Sequence, residues 1–263
     1  SSRRRHTRYP LVTGVQTCAL PILRSLIYAH RGASVDFAEG SREAYLGAIA
    51  QNADGFECDV RLTRDGGILC WHDDDTSRLT NEALNVADSS TAQLLSLEIN
   101  YKGNRGNPIL LDELLDISIR NKKHLLIETK HPVRSRGAIE NAVLKLLKMR
   151  ETEIRESGIH INIMSFSYFA VARISMQRKY PAVFLSKIAP QVKWVPSSAP
   201  VYGLNKDLFK NDPSLFNRLR RMKKKIYVWT VDDPADMRMC AENGVTAIIT
   251  NTPGQAKKVL GYS

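Results

Sequence analysis

Glu57-Cys58-Asp59-Val60 closes one apolar, β-rich stretch of the chain, and Glu128-Thr129-Lys130 closes another. Side chains alternate faces along a strand, so Glu57 and Asp59 share one face while Cys58 and Val60 take the other, and Glu128 points with Lys130. Three carboxylates and an ammonium ending two strands are not ordinary core, because burying uncompensated charge is very costly. The pattern predicts something cationic, a metal ion first of all, among the carboxylates. The alternative is that Glu57 and Asp59 are salt-bridged to Arg31 and Lys130 with no metal, although those cations are better used on phosphate.

Two further apolar stretches end on histidine: Leu26-Ile27-Tyr28-Ala29-His30-Arg31-Gly32 and Ile68-Leu69-Cys70-Trp71-His72-Asp73. Four candidate strands thus end polar, as expected of a barrel of parallel strands, whose functional groups gather where strands end and loops begin.

The rest of the chain alternates strand and helix. Strands are predicted near 55–60, 67–72, 123–130, 161–166, 182–187, 200–204, 226–230 and 246–250, after the first at 26–30. Helices are predicted near 41–52, 111–121, 138–151, 168–179, 213–224, 234–243 and 254–260. Repeated βα units of this length argue for one parallel barrel, and no Pro/Gly/Ser-rich linker divides it. Nine candidates compete for eight places, and the turn Thr63-Arg64-Asp65-Gly66 suits a hairpin better than a parallel crossover, so one of the two strands it joins is expected outside the barrel. Residues 73–107 are polar and hold one short helical piece, Thr91 to Leu97.

These residues resemble the glycerophosphodiester phosphodiesterases of the phospholipase-C-like phosphodiesterase barrel superfamily. That family's pattern is His-Arg-Gly, Glu-x-Asp-Val, Thr-x-Asp-Gly, His-Asp and Glu-x-Lys. It is met in order by His30 to Gly32, Glu57 to Val60, Thr63 to Gly66, His72 to Asp73 and Glu128 to Lys130, with Ser165-Phe166 and Val228-Trp229-Thr230 further on. The resemblance covers roughly residues 26–255. It implies a TIM (β/α)8 barrel with a small insertion after the third strand, about 73–107, covering the catalytic mouth. It also implies hydrolysis of glycerophosphodiesters to glycerol 3-phosphate and an alcohol.

Glu57, Asp59 and Glu128 form an all-oxygen donor set suited to a hard divalent cation, Mg²⁺ or Ca²⁺. By resemblance His30 is the base and His72 the acid, while Arg31, Lys130, Glu39 and Trp229 contact substrate, Trp229 either walling the glycerol moiety or standing as a rim aromatic. His124, His131 and His160 read as structural. Two departures stand out. The expected Glu-Asn-Thr is Glu39-Gly40-Ser41, where Ser41 can still cap a helix, and the expected Thr-Asp before Pro is Thr250-Asn251-Thr252-Pro253, which removes a negative charge from the last strand end. Two other readings stand beside this one: a lysophospholipase-D-like enzyme acting on lysophospholipids, and a barrel that binds phosphodiesters or lipid headgroups without turnover.

The net charge of +11 over 263 residues owes almost half its excess to Arg3, Arg4, Arg5, Arg8 and Arg24, so no nucleic-acid partner is expected. The basic run Arg218 to Lys225 reads as a solvated helix end complementing the helix dipole. Residues 1–22 look foreign to the barrel, like translated adapter read-through, and are set apart from 23–263. Their apolar stretch is broken and short of a membrane span, so no stable membrane insertion is expected. The cysteines follow no disulfide or zinc spacing, which fits a cytoplasmic protein, and no pattern sets an oligomeric state.

Overall fold

Strand β1 (Leu26–His30) has a parallel neighbour on each side, and those two neighbours are the first and last strands of a chain of pairings that closes on itself. A computed structural model describes residues 24–131, 137–188 and 199–262, so residues 1–22 and the reading of them lie outside the described residues. The barrel strands are β1, β2 (Gly55–Leu62), β6 (His124–Thr129), β7 (Ile161–Ser165), β8 (Ala182–Ser186), β9 (Val201–Asn205), β10 (Lys225–Trp229) and β11 (Ala247–Thr250). All pair in parallel, and β11 returns to β1, giving a closed eight-stranded TIM barrel.

The surplus strand is β3 (Ile68–Cys70), which pairs antiparallel with the end of β2. The Thr63-Arg64-Asp65-Gly66 turn makes that hairpin: Gly66 sits at φ +87°, and the Thr63 hydroxyl accepts from the Gly67 amide at 2.8 Å. The insertion after this third strand in chain order therefore lies between the second and third strands of the barrel.

Helices α1 (Arg42–Ala50), α3 (Leu111–Arg120), α4 (Ala138–Met149), α6 (Tyr168–Gln177), α8 (Ser214–Arg221), α9 (Pro234–Glu242) and α10 (Pro253–Leu260) fall where the periodicity places them. Their starts carry local signals. Ser41 accepts from the Ala44 amide, and Asp233 caps α9 ahead of Pro234, each satisfying amides that the first helical turn leaves without partners. Two helices were not anticipated. The stretch expected to run to residue 151 breaks at Arg150 and resumes as α5 (Glu151–Ser157), and α7 (Asp207–Asn211) adds one turn and a half after β9.

Alternation along the strands divides the core into two shells. Tyr28, Leu126, Met164, Val183, Leu185, Tyr227 and Ile249 fill the barrel's interior, whereas Cys58, Val60, Leu125, Ile127 and Ile163 face out under the helices. The insertion has its own small core, in which Leu69, Trp71 and Val86 meet Leu94 and Ile99 from α2 (Thr91–Leu95) and β4 (Ile99–Tyr101). Strand β4 forms a hairpin with β5 (Asn104–Gly106) across the Gly103 turn. Truncating a fully buried leucine such as Leu94 to alanine costs about 2–5 kcal/mol. The Thr63 turn is tied to this insertion, because Asp65 Oδ1 accepts from the backbone amide and the hydroxyl of Thr91 at 2.9 and 2.8 Å.

Candidate active site

Register decides which strand ends meet. His30 of β1 is paired with Glu57 of β2, and Asp59 of β2 with Glu128 of β6, so four polar side chains from three adjacent strands turn inward at the carboxyl end of the barrel. His30, Glu57 and Glu128 line a cleft of about 150 Å³, open to solvent, together with Arg31, His72, Lys130, Lys187 and Trp229, while Asp59 is buried against Arg31 and Lys130. The position of Arg31 depends on Gly32. A Cβ on Gly32, at φ +83°, would lie 2.5 Å from the Ala44 carbonyl carbon, so only glycine lets this loop press against α1.

Glu57, Asp59 and Glu128 are buried, and one oxygen from each lies within 4.8 Å of the others. Arg31 Nε approaches Asp59 Oδ2 to 2.7 Å, while Lys130 Nζ lies 2.7 Å from Glu128 Oε1 and 3.2 Å from Asp59 Oδ1. Three carboxylates therefore face two cations, and one of these is shared, since Arg31 also pairs with Glu39 at 2.8 Å.

The imbalance appears in the acidities. Burial, then Asp59 and Glu128, pushes the Glu57 carboxyl well above its ordinary range, and burial and Asp59 push Glu128 up to about 7. Burial also works against ionised Asp59, but Arg31 and Lys130 outweigh it and hold that carboxyl below its usual range. Despite those close cations, neither Asp59 oxygen has a well-directed hydrogen bond among the described residues. Buried, acceptor-only oxygens with unsatisfied directions and surplus negative charge fit a hard divalent cation.

The histidines differ in what holds them. His30 Nδ1 lies 2.7 Å from Asn251 Oδ1, and its Nε2 faces Glu57 Oε2 at 3.9 Å. Burial, then the Arg31 cation, pushes its imidazole down to about 4, so it is neutral near pH 7. His72 Nδ1 lies 2.7 Å from Asp73 Oδ1. Its pKa is also lowered, by burial first, with Asp59 opposing.

The remaining sequence candidates divide. Glu39 meets Arg31 and also Arg78 of the insertion, at 2.7 Å. Trp229 lines the cleft and stacks edge-on against Phe166, their centroids 5.5 Å apart. His124 and His160 pack on one another at the opposite end of the barrel, at the starts of β6 and β7, and His131 pairs with Glu140 at 2.8 Å. The basic run ends α8, where Arg218 is held by Asp212.

Sequence reasoning missed three participants. Asp73 stood in the quoted His-Asp pair, and its adjacency to His72 was the available signal. Arg78 joins Glu39 to Asp73, donating to Asp73 Oδ2 at 2.6 Å, and Asp232 grips Asn251. Neither of these had any local pattern. An apolar wall of Met164, Phe166, Leu185 and Ile249 also went unseen, because it is assembled from the ends of β7, β8 and β11, which are far apart in the chain.

A family model described as "Glycerophosphoryl diester phosphodiesterase family" matches residues 30–255. The chain is similar to a Mycobacterium tuberculosis protein named "Probable glycerophosphodiester phosphodiesterase 1", 35% identical over 254 residues that cover 89% of this chain and 92% of that one. It is also similar to a Caldanaerobacter subterraneus glycerophosphodiester phosphodiesterase, 29% identical over 238 residues that cover 88% of this chain and 96% of that one. Among solved structures, an Oleispira antarctica phosphodiesterase in complex with the product sn-glycerol-3-phosphate shares the fold. Its TM-score is 0.81 at 19% identity, covering 90% of this chain and 97% of that one. The chain therefore belongs to the glycerophosphoryl diester phosphodiesterase family and is a phosphoric diester hydrolase.

Proposed function

We propose that the protein hydrolyses glycerophosphodiesters to glycerol 3-phosphate and an alcohol, using His30 as general base, His72 as general acid and a divalent cation, Mg²⁺ or Ca²⁺, held by Glu57, Asp59 and Glu128. The observation that carries this reading is the meeting of two imidazoles, each anchored through Nδ1, in one cleft beside a group of three buried carboxylates. His30 Nε2 takes the proton from the attacking hydroxyl or water. As the P–O bond to the departing alcohol breaks, its oxygen receives the proton carried on His72 Nε2.

Arg31 and Lys130, already at the carboxylates, are positioned to neutralise phosphoryl oxygens. A cation bound there would polarise a phosphoryl oxygen as a Lewis acid. Glu39 steadies Arg31, and Trp229 with Phe166 walls the side of the cleft that would take the glycerol moiety.

The apolar wall favours a second substrate class. Met164, Phe166, Leu185 and Ile249 suit the start of an acyl chain, which supports the lysophospholipase-D-like alternative. Among the described residues no helix is long and apolar enough to cross a membrane, so such a lipid would reach the cleft from solution or from a membrane surface. The free, buried thiols of Cys58, Cys70 and Cys240 support the cytoplasmic reading.

Assay of the purified protein with glycerophosphocholine, glycerophosphoethanolamine and lysophosphatidylcholine, each with and without chelator, tests substrate and cation together. Release of glycerol 3-phosphate that stops with chelator and returns with Mg²⁺ or Ca²⁺ is the expected result. Faster turnover of lysophosphatidylcholine would move the assignment to the lipid substrate, and chelator-resistant activity would remove the cation.

A further inference from the structure

Asn251 is the departure at the last strand end, where the resemblance leads one to expect a carboxylate. Its side chain lies between His30 and Asp232. Asp232 Oδ2 accepts from Asn251 Nδ2 at 2.6 Å, and Asp232 Oδ1 accepts from the Asn251 backbone amide at 2.7 Å and from the Thr250 hydroxyl at 2.9 Å. An ionised carboxylate offers only acceptors, so the amide of Asn251 must turn its NH₂ toward Asp232 and its oxygen the other way. That oxygen meets His30 Nδ1 at 2.7 Å and the Ser34 hydroxyl at 2.8 Å.

A carbonyl oxygen can only accept. His30 must then carry its proton on Nδ1, which leaves the lone pair on Nε2, the nitrogen directed at Glu57. A backbone-anchored carboxylate thus sets an amide, and the amide sets an imidazole.

We propose that Asp232 and Asn251 are positioning residues for the reaction: together they lock His30 as the Nδ1–H tautomer, so that Nε2 is the proton acceptor in the cleft. The consequence for turnover rests on the reading of His30 as base, whereas the tautomer itself does not. Asn251 does this without placing a further negative charge beside Glu57, Asp59 and Glu128, which already outnumber the neighbouring cations.

The test is a long-range ¹H–¹⁵N correlation spectrum of histidine-labelled full-length protein, with the His30 signals assigned by their loss in His30→Gln. Steady-state kinetics on glycerophosphocholine and a thermal melt accompany each variant. In the parent protein, His30 should show a protonated Nδ1 and an unprotonated Nε2. In Asp232→Asn the neighbouring amide can donate as well as accept, so Asn251 is free to turn its NH₂ toward His30. The tautomer signature should then move toward Nε2–H, with kcat falling roughly a hundredfold and KM changing little.

The exchanged pair Asp232→Asn with Asn251→Asp rebuilds the same donor and acceptor order and should restore both the signature and most of kcat. Asn251→Leu, which removes the acceptor at similar volume, gives a mixed signature and serves if Asp232→Asn melts early. An Nε2–H signature in the parent protein, or an Nδ1–H signature unmoved in both Asp232→Asn and Asn251→Leu, overturns the proposal. A signature that moves while kcat stands upholds the tautomer lock, overturns the pair's part in the reaction and removes His30 from the role of base.

Discussion

Nδ1 of His72 lies 2.7 Å from Oδ1 of Asp73, its neighbour in the chain. Burial disfavours the Asp73 charge, but hydrogen bonds from His72 and Arg78 outweigh it and hold the carboxyl below its usual range, so His72 stands against a full negative charge. His30 stands against a neutral amide. Burial lowers the pKa of both imidazoles, but a charged partner stabilises the protonated form and a neutral one does not, which makes His72 the better suited to carry a proton into the reaction and His30 to remove one.

The division is expected to appear when the leaving group is varied. His72→Ala should lose much less rate on a nitrophenyl phosphodiester, whose phenolate leaves without protonation, than on glycerophosphocholine, while His30→Ala should be damaged on both. General acid–base groups supply roughly a hundredfold to ten-thousandfold, so the contrast is measurable in kcat. Equal losses for both variants on both substrates would rule it out, and sparing of the aryl substrate by His30→Ala alone would reverse the roles.

Asp59→Asn removes charge without changing volume at the centre of the carboxylate group. Turnover should be abolished and cation affinity should fall at least tenfold to a hundredfold, as read by calorimetry with Mg²⁺ and Ca²⁺. Arg31 retains Glu39 at 2.8 Å, so the protein should remain folded by thermal melt. Activity that survives both this change and excess chelator would sink the metal centre.

The acidity of Glu128 predicts how that cation couples to pH. Without metal, its folded-state value is raised from 4.5 to about 7 by burial and Asp59. Its protonated form therefore contributes stability that is present below about pH 4.5 and lost as the pH rises through about 7. A cation needs the ionised carboxylate, so the gain in Tm from saturating Mg²⁺ or Ca²⁺ should grow across that window and then level off. Melting curves with chelator and with metal, taken at intervals across the window, check it; a gain that shrinks with rising pH would contradict the ligand assignment.

Arg78 joins Glu39 to Asp73 at 2.7 and 2.6 Å, linking the insertion to both sides of the cleft. Its side chain is about one-third exposed, at 35%, so solvent screens part of the attraction, and Arg78→Gln should cost about 1 kcal/mol of transition-state stabilisation, roughly fivefold in kcat/KM. The melting temperature should hardly move. An unchanged kcat/KM would show that Asp73 orients His72 without help from the insertion.

The carboxylate face was legible because period-two alternation is local. Glu57 and Asp59 must point together wherever their strand lies, and Cys58 and Val60 must point away, as the inner and outer shells of the barrel confirm. The hairpin at Thr63 to Gly66 was legible for the same reason, since a four-residue turn constrains only its own neighbours. The short helices α5 and α7 were missed because five to seven residues are too few to display a helical period.

The sequence by itself determined the barrel's repeating units, the strand ends that carry polar groups and the side of each strand on which those groups lie, because spacing along one strand depends on nothing beyond it. Only the tertiary structure decided that His30 stands level with Glu57 and Asp59 with Glu128, that Arg78 reaches Glu39, and that Asp232 turns the Asn251 amide toward a histidine 221 residues away. The strand pairings are set by register around a closed ring, and the Arg78 and Asp232 contacts by loops that the ring brings together, so no short window of residues contains both members of such a contact.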